Sequence, residues 1–598
     1  MTRFEDQLKQ TVSHCLSSRF NISVAPDSIQ FQETKKEFEG DLTIVVFPFA
    51  KSAQLSPEEF GNRLGQELVA SSPVLARFNV VKGFLNLVVA DKTWTDFFAS
   101  VTNHPESLFQ SARTKQPSRL MVEYSSPNTN KPLHLGHIRN NLLGYSVAAL
   151  LKAVGHEVIK VNLVNDRGIH ICKSMLAWQK FGNGETPESA AMKGDHLVGK
   201  YYVIYDKKYK EQVEELVSKG MDKEQAEREA PLQAEIQEML RKWEAGDPEV
   251  KALWKRMNGW VYEGFFVTYK NLGVDFDKIY YESETYLLGK EIVQEGLDKG
   301  VFFRKDDGSV WVDLTDVGLD QKVVLRADGT SVYITQDLGT AQLRFDEFTG
   351  LSRLVYVVGN EQDYHFKVLR EIFKKLGRSW ADGIFHLSYG MVDLPSGKMK
   401  SREGTVVDAD DLIREIVEEA EMATKALGKL DDFASDEARK LYHDLGLGAL
   451  KYFILKVDPK KRMLFNPAES IDLNGNTGPF IQYTYARIRS VLRKGGELSG
   501  TAVLAASHPM STAERNLVRL IYSYPEVLTQ AAESLSPALM ANHVYDLAKA
   551  FNHFYHDHVI VDVAAPAATS FRLRLSALVA ALLSEGTRLL GITVPERM

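Results

Sequence analysis

Short apolar runs, separated by polar loops and by longer stretches of helical periodicity, dominate the middle of this chain. Four of these runs predict strands of one parallel sheet, at 120–124, 158–163, 354–358 and 385–389. Stretches with helical spacing, 137–154 and 364–376, follow the first and the third run. The order strand, helix, strand is typical of βαβ units, which bind ligands at the carboxyl ends of their strands. The pattern therefore predicts an α/β fold built on a doubly wound, Rossmann-like parallel sheet.

The two ends of the chain have different patterns. Residues 1–20 predict a helix, and apolar runs at 43–49, 78–81 and 84–89 predict a small sheet. From residue 410 onwards the spacing is almost entirely helical. The 598 residues are therefore expected to form a small α+β N-terminal domain, the Rossmann-like domain, a helical connecting region and an all-helical C-terminal domain, at 1–113, 118–409, 410–469 and 470–598.

Two insertions interrupt the predicted sheet. Residues 183–260 contain 13 Lys or Arg and 16 Asp or Glu, with helical spacing and few large apolar positions. Such a segment is typical of a solvated helical insertion. Residues 301–314 and 322–335 each place an Asp-Gly pair between β-rich runs. These pairs predict two hairpins beside the sheet, within about residues 300–335.

Composition limits the class of protein. Apolar residues make up 44% and charged residues 25% of the chain, which is typical of a soluble globular protein. The net charge of −7 means that a nucleic acid would be held by local basic patches and shape, not by bulk charge. The two cysteines, Cys15 and Cys172, cannot form a disulfide framework or a four-cysteine zinc site, and they predict a cytoplasmic protein. We expect neither a membrane span nor a leader peptide.

The first candidate for chemistry is the sequence SSPNTNKPLHLGH, residues 125–137, between the first predicted strand and its helix. A helix N-terminus presents backbone N–H groups and a positive dipole end, which suit phosphate. His134 and His137 are three residues apart, so both can donate hydrogen bonds to phosphate oxygens on one side of the helix. Gly136 leaves room for a nucleotide. Taken alone, the motif also fits surface or capping histidines.

The second candidate is a cationic loop after the strand predicted at 385–389. Lys398, Lys400 and Arg402 lie between Gly397 and Gly404. A basic surface loop is the common explanation for such a segment. On the same sheet as the histidine pair, however, the loop predicts a clamp for the leaving pyrophosphate, because nucleotidyl transfer depends on positioning and charge neutralisation.

The two motifs resemble the HIGH and KMSKS signatures of class I aminoacyl-tRNA synthetases, and residues 125–139 resemble the arginyl-tRNA synthetase version. Further segments resemble that family, at 78–89, 332–341, 357–366, 475–488 and 595–598. The resemblance covers nearly the whole chain apart from the charged insertion. It implies activation of L-arginine with MgATP to arginyl-adenylate, followed by transfer to the 3′ end of tRNA(Arg). It further implies an anticodon-binding C-terminal domain, a tRNA-contacting N-terminal domain and a monomer without zinc.

The resemblance also assigns residues to each substrate. Arginine is expected to contact Glu123, Ser125, Asn128, His137, Tyr333, Asp337 and Gln362. ATP is expected to contact His134, Gly136, His137, Gly359, Met391, Val392, Lys398, Lys400 and Ser401. The tRNA is expected to contact Phe84, Asn86, Tyr483, Tyr485, Arg487 and Met598. A carboxylate such as that of Asp337 suits a guanidinium, which is planar and always charged.

One position departs from the class I pattern. The fourth residue of the second signature is a lysine in the family, and here it is Ser401. The resemblance implies that a lysine just before the histidine motif compensates, and Lys131 occupies that place. We therefore expect Lys131 and Lys398 to contact the pyrophosphate, with Lys400 in reserve. No metal-ligating residue is expected.

Two other classes of function stay open. A small-molecule nucleotidyltransferase can use the same histidine pair and cationic loop, although such enzymes are usually shorter and lack a helical domain. A catalytically silent, synthetase-like RNA-binding protein is the second alternative, and the intact His134, His137, Lys398, Tyr333 and Asp337 argue against it. A cysteine-specific synthetase would need a zinc site. Arginine-dependent exchange of pyrophosphate into ATP distinguishes these classes.

Overall fold

A four-stranded antiparallel sheet with helices packed on it forms the N-terminal unit of the computed structural model, which describes residues 3–35, 37–393, 407–426, 434–496 and 508–598. Its elements are α1 Phe4–Phe20, β1 Gln32–Glu33, β2 Leu42–Val45, α2 Phe47–Ser52, α3 Pro57–Ser71, β3 Leu75–Val81, β4 Phe84–Val89, α4 Asp91–Asn103 and α5 Glu106–Ser111. The predicted α+β arrangement is confirmed. The strand prediction for 43–49 is wrong after residue 45, because Pro48 favours the first turn of α2.

The Rossmann-like unit opens with the predicted strand, helix, strand run. Its first elements are β5 Arg119–Glu123, α6 Leu135–Ala153, β6 Glu157–Val164 and α7 Ile169–Phe181. The apolar residues of β5 and of α6 are almost wholly buried. A strand covered on both faces reads as a continuous apolar run, which is why the sequence identifies β5 so clearly.

The charged insertion is helical, as predicted. It consists of α8 Pro187–Ala190, α9 Gly194–Ser218, α10 Lys223–Glu229, α11 Pro231–Glu244 and α12 Pro248–Leu272. Helix α9 packs lengthwise against α7 and α12. Its buried side chains Leu197, Val198, Tyr201 and Tyr205 are spaced at helical intervals, so one face of α9 lies in the core. Most of its charged residues lie on the other face, but Asp195 is buried.

The prediction of two hairpins is half right. The next elements are β7 Lys278–Tyr281, α13 Glu282–Thr285, α14 Gly289–Asp298, β8 Phe302–Arg304, β9 Val310–Val312 and β10 Lys322–Leu325. Strands β8 and β9 form the first hairpin. Strand β10 pairs instead with β9, and only Leu325 and Ser331 bridge across the second Asp-Gly turn. The residues after that turn begin a helix, so the result is one three-stranded antiparallel sheet beside the parallel one.

The remaining elements of the Rossmann-like unit are α15 Tyr333–Glu347, β11 Leu351–Gly359, α16 Asp363–Lys375 and β12 Ile384–Tyr389. The central sheet has the strand order β12-β11-β5-β6-β7, and every neighbouring pair is parallel. The doubly wound prediction is therefore confirmed. The chain leaves β5 towards β6 on one side and returns on the other side as β11, so the order reverses between β5 and β11. Ligands of such sheets bind at that point, outside the carboxyl ends of the strands.

Helices form the rest of the described chain, as predicted. The elements are β13 Val392–Asp393, α17 Ala409–Ala426, α18 Ser435–Leu455, β14 Met463–Leu464, α19 Pro467–Ser470, α20 Gly478–Lys494, α21 Thr512–Glu533, α22 Pro537–Asp557 and α23 Pro566–Leu589. Strands β13 and β14 pair in parallel. Within the described residues, α23 is long and apolar enough to cross a membrane, but 61% of its apolar window is buried, as in the core helix of a bundle.

An aromatic cluster joins the N-terminal unit to the C-terminal helices. The ring of Tyr522, on α21, stacks on Phe4 with centroids 4.6 Å apart. The rings of Trp94 and Phe97 meet its edge at 5.5 Å and 4.9 Å. The Tyr522 hydroxyl accepts the backbone N–H of Phe4 at 3.2 Å and pairs with the carboxylate of Glu5. Apolar burial and aromatic packing thus fix the two ends of the chain against each other.

We predict that Tyr522→Ala loosens this junction by about 3–5 kcal/mol, the usual cost of removing a buried aromatic ring. Tyr522→Phe keeps the ring and loses only the hydroxyl bonds, so it is expected to cost about 1 kcal/mol. Limited proteolysis of residues 112–118, which connect α5 to β5, combined with thermal melting, measures both effects. Equal sensitivity of the two variants would show that ring packing does not hold the junction.

Candidate active site

Two serines directly after β5 adopt a left-handed backbone. Ser125 and Ser126 have φ of 79° and 45°, which is uncommon for residues other than glycine and costs free energy. Side-chain carbonyl oxygens compensate: the Ser125 N–H donates to Asn140 Oδ1 at 2.5 Å and the Ser126 N–H to Asn162 Oδ1 at 2.9 Å. The Ser125 hydroxyl lies 2.7 Å from the Tyr269 hydroxyl. This tightly held turn carries the chain from β5 towards the histidine motif.

The two histidines of the first motif hold the start of α6 themselves. His134 is the N-cap of the helix, and its Nδ1 accepts the backbone N–H of Gly136 at 3.1 Å. The backbone N–H of His134 donates to Nδ1 of His137 at 3.2 Å. Because each Nδ1 accepts a hydrogen bond, each neutral ring carries its hydrogen on Nε2. The ring centroids are 4.0 Å apart, so the two Nε2–H donors belong to one small region at the helix N-terminus.

Both histidines are neutral at pH 7. Burial, together with the nearby Lys131 ammonium, lowers the pKa of His134 to about 4. Burial, His134 and Lys131 lower the pKa of His137 well below its usual value. Fixed neutral donors at a helix N-terminus can stabilise charge that develops on a phosphate without being reoriented. A Cβ on Gly136 would lie 3.0 Å from His134 Cε1, so the glycine also makes room for this ring.

Glu123, at the end of β5, was predicted to contact arginine, but its carboxylate is directed into the protein. Its side chain is 5% exposed and forms an ion pair with Arg344 of α15, which is fully buried. Burial raises the pKa of Glu123 although Arg344 opposes the shift. The guanidinium carbon of Arg344 lies 5.0 Å from the ring centroid of Tyr280 and 5.6 Å from that of Tyr356. Arg344, which the sequence analysis missed, therefore occupies the carboxylate that was assigned to the substrate.

Two other carboxylates lie close by. Asp337, on the first turns of α15, has Oδ2 2.6 Å from His365 Nε2 of α16. Burial raises the pKa of Glu282 to about 7, with Asp166 and Asp337 adding to the shift and Arg167 opposing it. The charge of Asp337 also raises the pKa of Glu123. A bound cation would offset both the burial of Glu282 and its repulsion by Asp337, so the carboxylates mark a candidate pocket for a positively charged group. The sequence analysis did not identify Glu282.

The other predicted arginine contacts differ in exposure. Tyr333, at the start of α15, is 79% exposed, and Gln362 is exposed directly before α16. Asn128 is exposed, while its backbone bridges to Asn165 at the edge of the sheet. The side chain of Ser125 is buried and bonded to Tyr269, so the structure does not present it to a ligand.

The segment with Met391 and Val392, two of the predicted ATP contacts, is held in place by a residue that the sequence analysis overlooked. Arg139 of α6 is 1% exposed and donates to the carbonyl oxygens of Met391, Pro459 and Lys461 at 3.2, 3.0 and 2.8 Å. The side chain of Met391 is 50% exposed. These bonds fix the backbone that leads into β13, where Val392 pairs with Met463.

Of the other predicted ATP contacts, two lie within the described residues. Gly359 is buried at the end of β11, and Lys131 is partly exposed beside the histidines. Lys398, Lys400 and Ser401 lie outside the described residues.

The two N-terminal residues assigned to tRNA differ in exposure. Phe84 is partly exposed and meets the ring of Phe47 at 5.8 Å. Asn86 is instead 1% exposed and hydrogen-bonded to Thr43 and Asn79 within the sheet, which contradicts an exposed contact.

In the C-terminal unit, the Arg487 guanidinium lies 4.8 Å from the Tyr483 ring, and both residues are partly exposed. Tyr485 is 7% exposed and donates to Glu596, so the structure corrects its assignment to a packing role. Met598 packs against the core and remains partly exposed.

One group among the described residues has the geometry to hold a metal ion, although the sequence analysis expected none. It consists of Asp195, His196 and Asp410. The Lys193 ammonium pairs with Asp410 and lies 3.2 Å from Asp195 Oδ2. The group therefore contains a cation of its own, and we assign no metal to it.

Comparison with known proteins decides the family. The profile for the catalytic domain of class I (R) tRNA synthetases matches residues 101–466, and that for the DALR anticodon binding domain matches residues 481–598. The arginine–tRNA ligase of Parabacteroides distasonis is 56% identical over 598 residues, 99% of this chain and 100% of that protein. The chain belongs to the arginyl-tRNA synthetase family. The Bacteroides thetaiotaomicron arginine–tRNA ligase is also 56% identical, over 100% of both chains.

Solved structures of the family share the fold. The Thermus thermophilus arginyl-tRNA synthetase superposes with a TM-score of 0.77 at 24% identity, and the Plasmodium falciparum enzyme with 0.75 at 18%, each over 100% of both chains. The full-length match to curated arginine–tRNA ligases, together with the anticodon binding domain, argues against a small-molecule nucleotidyltransferase. The Parabacteroides and Bacteroides relatives are both named as arginine–tRNA ligases, which argues against a silent RNA-binding protein.

We predict that Arg344→Met destabilises the Rossmann-like unit by about 3–5 kcal/mol, because it leaves the Glu123 charge buried and unpaired. The double variant Glu123→Gln, Arg344→Met removes both charges and is expected to recover most of that loss. Thermal and denaturant unfolding measure the difference. Arg63→Met, which breaks an exposed ion pair with Glu59, is the control and should cost less than about 1 kcal/mol. A double variant no more stable than the single one would contradict a buried ion pair.

Proposed function

We propose that this chain ligates L-arginine to tRNA(Arg) at the β5–β11 edge, with the side chains described above in defined roles. Family membership supports the reaction. The observation that supports arginine as the amino acid is the pair of carboxylates Asp337 and Glu282, because a guanidinium would offset the burial of Glu282 and its repulsion by Asp337. Tyr333, at the start of α15, and Gln362, directly before α16, are exposed, and we assign both to the arginine side chain.

In the first step, a carboxylate oxygen of arginine attacks the α-phosphorus of ATP, and the bond to the β-phosphate breaks to release pyrophosphate. The Nε2–H groups of His134 and His137 donate to the phosphate as its charge grows, and Lys131 offsets charge on the leaving group. Magnesium enters with ATP as part of the substrate. The histidines need not transfer a proton, which agrees with their lowered pKa values.

In the second step, a terminal ribose hydroxyl of tRNA attacks the arginyl carbonyl, and AMP leaves. The exposed aromatic and basic side chains of the outer units are suited to RNA, which is recognised by stacking on aromatic rings and arginine planes. We assign Tyr483, Arg487 and Met598 to the anticodon end and Phe84 to the N-terminal contact. A cytoplasmic, monomeric enzyme is part of the same proposal.

Pyrophosphate exchange into ATP tests the proposal. We expect exchange that depends on arginine and, as the family resemblance implies, also on tRNA. His137→Ala should lower the exchange rate about 10²–10³-fold, the usual loss on removing one transition-state donor. His14→Ala, which removes an exposed histidine of α1, is the matched control and should leave the rate unchanged. Exchange without arginine, or a wild-type rate in His137→Ala, would contradict the assignment.

The raised pKa of Glu282 predicts a pH dependence of arginine binding. Above a pKa of about 7 the carboxylate is ionised and attracts the guanidinium, so the KM for arginine should fall as pH rises from 6 to 8. Glu282→Gln should remove this dependence. Asp337→Asn should raise the KM at every pH, by about 10–100-fold, since hydrogen bonds to charged groups contribute roughly 1.5–3 kcal/mol. The KM for ATP serves as the internal control. A pH slope that persists in Glu282→Gln would remove this carboxylate from the pocket.

A further inference from the structure

The charged insertion meets the segment that follows the cationic loop through a cluster of ionised side chains. Lys193, directly before α9, donates to Thr268 Oγ1 of α12 at 2.6 Å and pairs with the carboxylate of Asp410. Nε2 of His196 lies 3.1 Å from Asp410 Oδ2 and 3.4 Å from Asp408 Oδ2. The Thr268 hydroxyl donates to Asp410 Oδ1 at 2.9 Å. We call these five residues the anchor cluster.

The anchor cluster is rigid for physical reasons. Thr268 is fully buried, and Asp408 Oδ1 accepts the backbone N–H groups of Asp410 and Asp411 at 2.9 and 3.1 Å, which caps the start of α17. Burial alone would raise the pKa of Asp410, but His196 and Lys193 outweigh it and lower the value to about 2. A partly buried carboxylate with this many donors is ionised and fixed in one orientation.

The segment that the cluster anchors pairs with the backbone of the histidine motif. The Ala409 N–H donates to the Leu133 carbonyl at 2.9 Å, and the Leu135 N–H donates to the Val407 carbonyl at 3.0 Å. His134 and Asp408 lie opposite each other in this antiparallel bridge. The backbone on both sides of the first signature histidine is therefore bonded to residues that directly adjoin the anchor cluster.

Helix α9 also supports the segment just before the motif. A Cβ on Gly199 would lie 2.9 Å from Pro132 Cδ, so the helix backbone approaches this segment closely. One turn further on, the Tyr202 side chain lies close to that of Asn130. The insertion thus touches the histidine motif twice, directly before it and, through Asp408 and Asp410, directly beside it.

We propose that the insertion is a positioning device for His134, and that Lys193, His196 and Thr268 act on the adenylation step by holding Asp408 and Asp410. The inference rests on the proposed role of His134 in that step. Transition-state donors must be placed closely, and a displacement of about 1 Å can cost up to about 10²-fold in rate. The insertion residues are positioning residues, because their contacts run to Asp408 and Asp410 and not to the reacting atoms.

Asp410→Asn tests the inference in the full-length protein. It keeps the side-chain shape but removes the charge that binds Lys193 and His196. We expect kcat for tRNA-dependent pyrophosphate exchange to fall about 10–100-fold, with the KM for arginine changed less than about twofold. The matched control is Asp206→Asn, which breaks an exposed ion pair with Lys210 on the same helix α9 and should leave both constants unchanged.

Thr268→Val is the second variant, because it removes the hydroxyl bonds to Asp410 and Lys193, keeps the side-chain shape and leaves every charge of the anchor cluster in place. It should lower kcat by about 3–10-fold, whereas Thr268→Ser, which retains the hydroxyl, should restore the wild-type value. Thermal melting is followed for each variant, so that a loss of fold is recognised separately from a loss of positioning.

A double-variant cycle with His134→Ala separates positioning from general destabilisation. If Asp410 acts through His134, Asp410→Asn should lower kcat less than about threefold in the His134→Ala background. Additive losses would overturn the inference, as would kcat values for Asp410→Asn and Thr268→Val that match those of Asp206→Asn. Failure of the proposed function would look different, since wild-type protein would then show no arginine-dependent exchange.

Discussion

The parallel pairing of β5 with β11 is the constraint on which the candidate site depends. It joins the first strand of the Rossmann-like unit to a strand more than two hundred residues later, and it brings their carboxyl ends to one edge. The turn after β5 carries the histidine motif, and the turn after β11 leads to α16 and His365. A register shift between the strands would move the start of α6 relative to Asp337 of α15, because both are positioned from this edge.

Buried charge then determines how that edge is used. Arg344 pairs with Glu123 inside the protein, whereas the charge of Asp337 raises the pKa values of Glu123 and Glu282. The same edge therefore holds one carboxylate neutralised internally and two that are better served by an external cation. The histidines show the complementary arrangement, since burial and Lys131 keep them neutral beside the helix N-terminus. The proposed sites for a cationic amino acid and an anionic nucleotide thus lie on neighbouring but electrostatically opposite surfaces.

The sequence predicts most of the fold because buried parallel strands and amphipathic helices leave periodic patterns. It fails where a partner distant along the chain decides the outcome. Strand β10 looks like half of a hairpin, but it pairs with β9 and not across its own Asp-Gly turn. Glu123 and Asn86 belong to motifs typical of ligand contacts, and their burial depends on Arg344 in one case and on Thr43 and Asn79 in the other. No local pattern marks Glu282, whose raised pKa arises from its burial and from the charges of Asp166 and Asp337.

The charged insertion illustrates the same limit at a larger scale. Its composition indicates a solvated helical segment, and most of its ion pairs, such as Lys210 with Asp206, are exposed and contribute little. Lys193 and His196 belong to the same polar insertion, yet their carboxylate partners, Asp408 and Asp410, lie more than two hundred residues away in the chain. What distinguishes them is the position of their partners in the chain. Val407 and Ala409, which adjoin Asp408, form backbone hydrogen bonds to Leu135 and Leu133, on either side of His134. An ion pair matters to the chemistry when the element it fixes also fixes a reacting group.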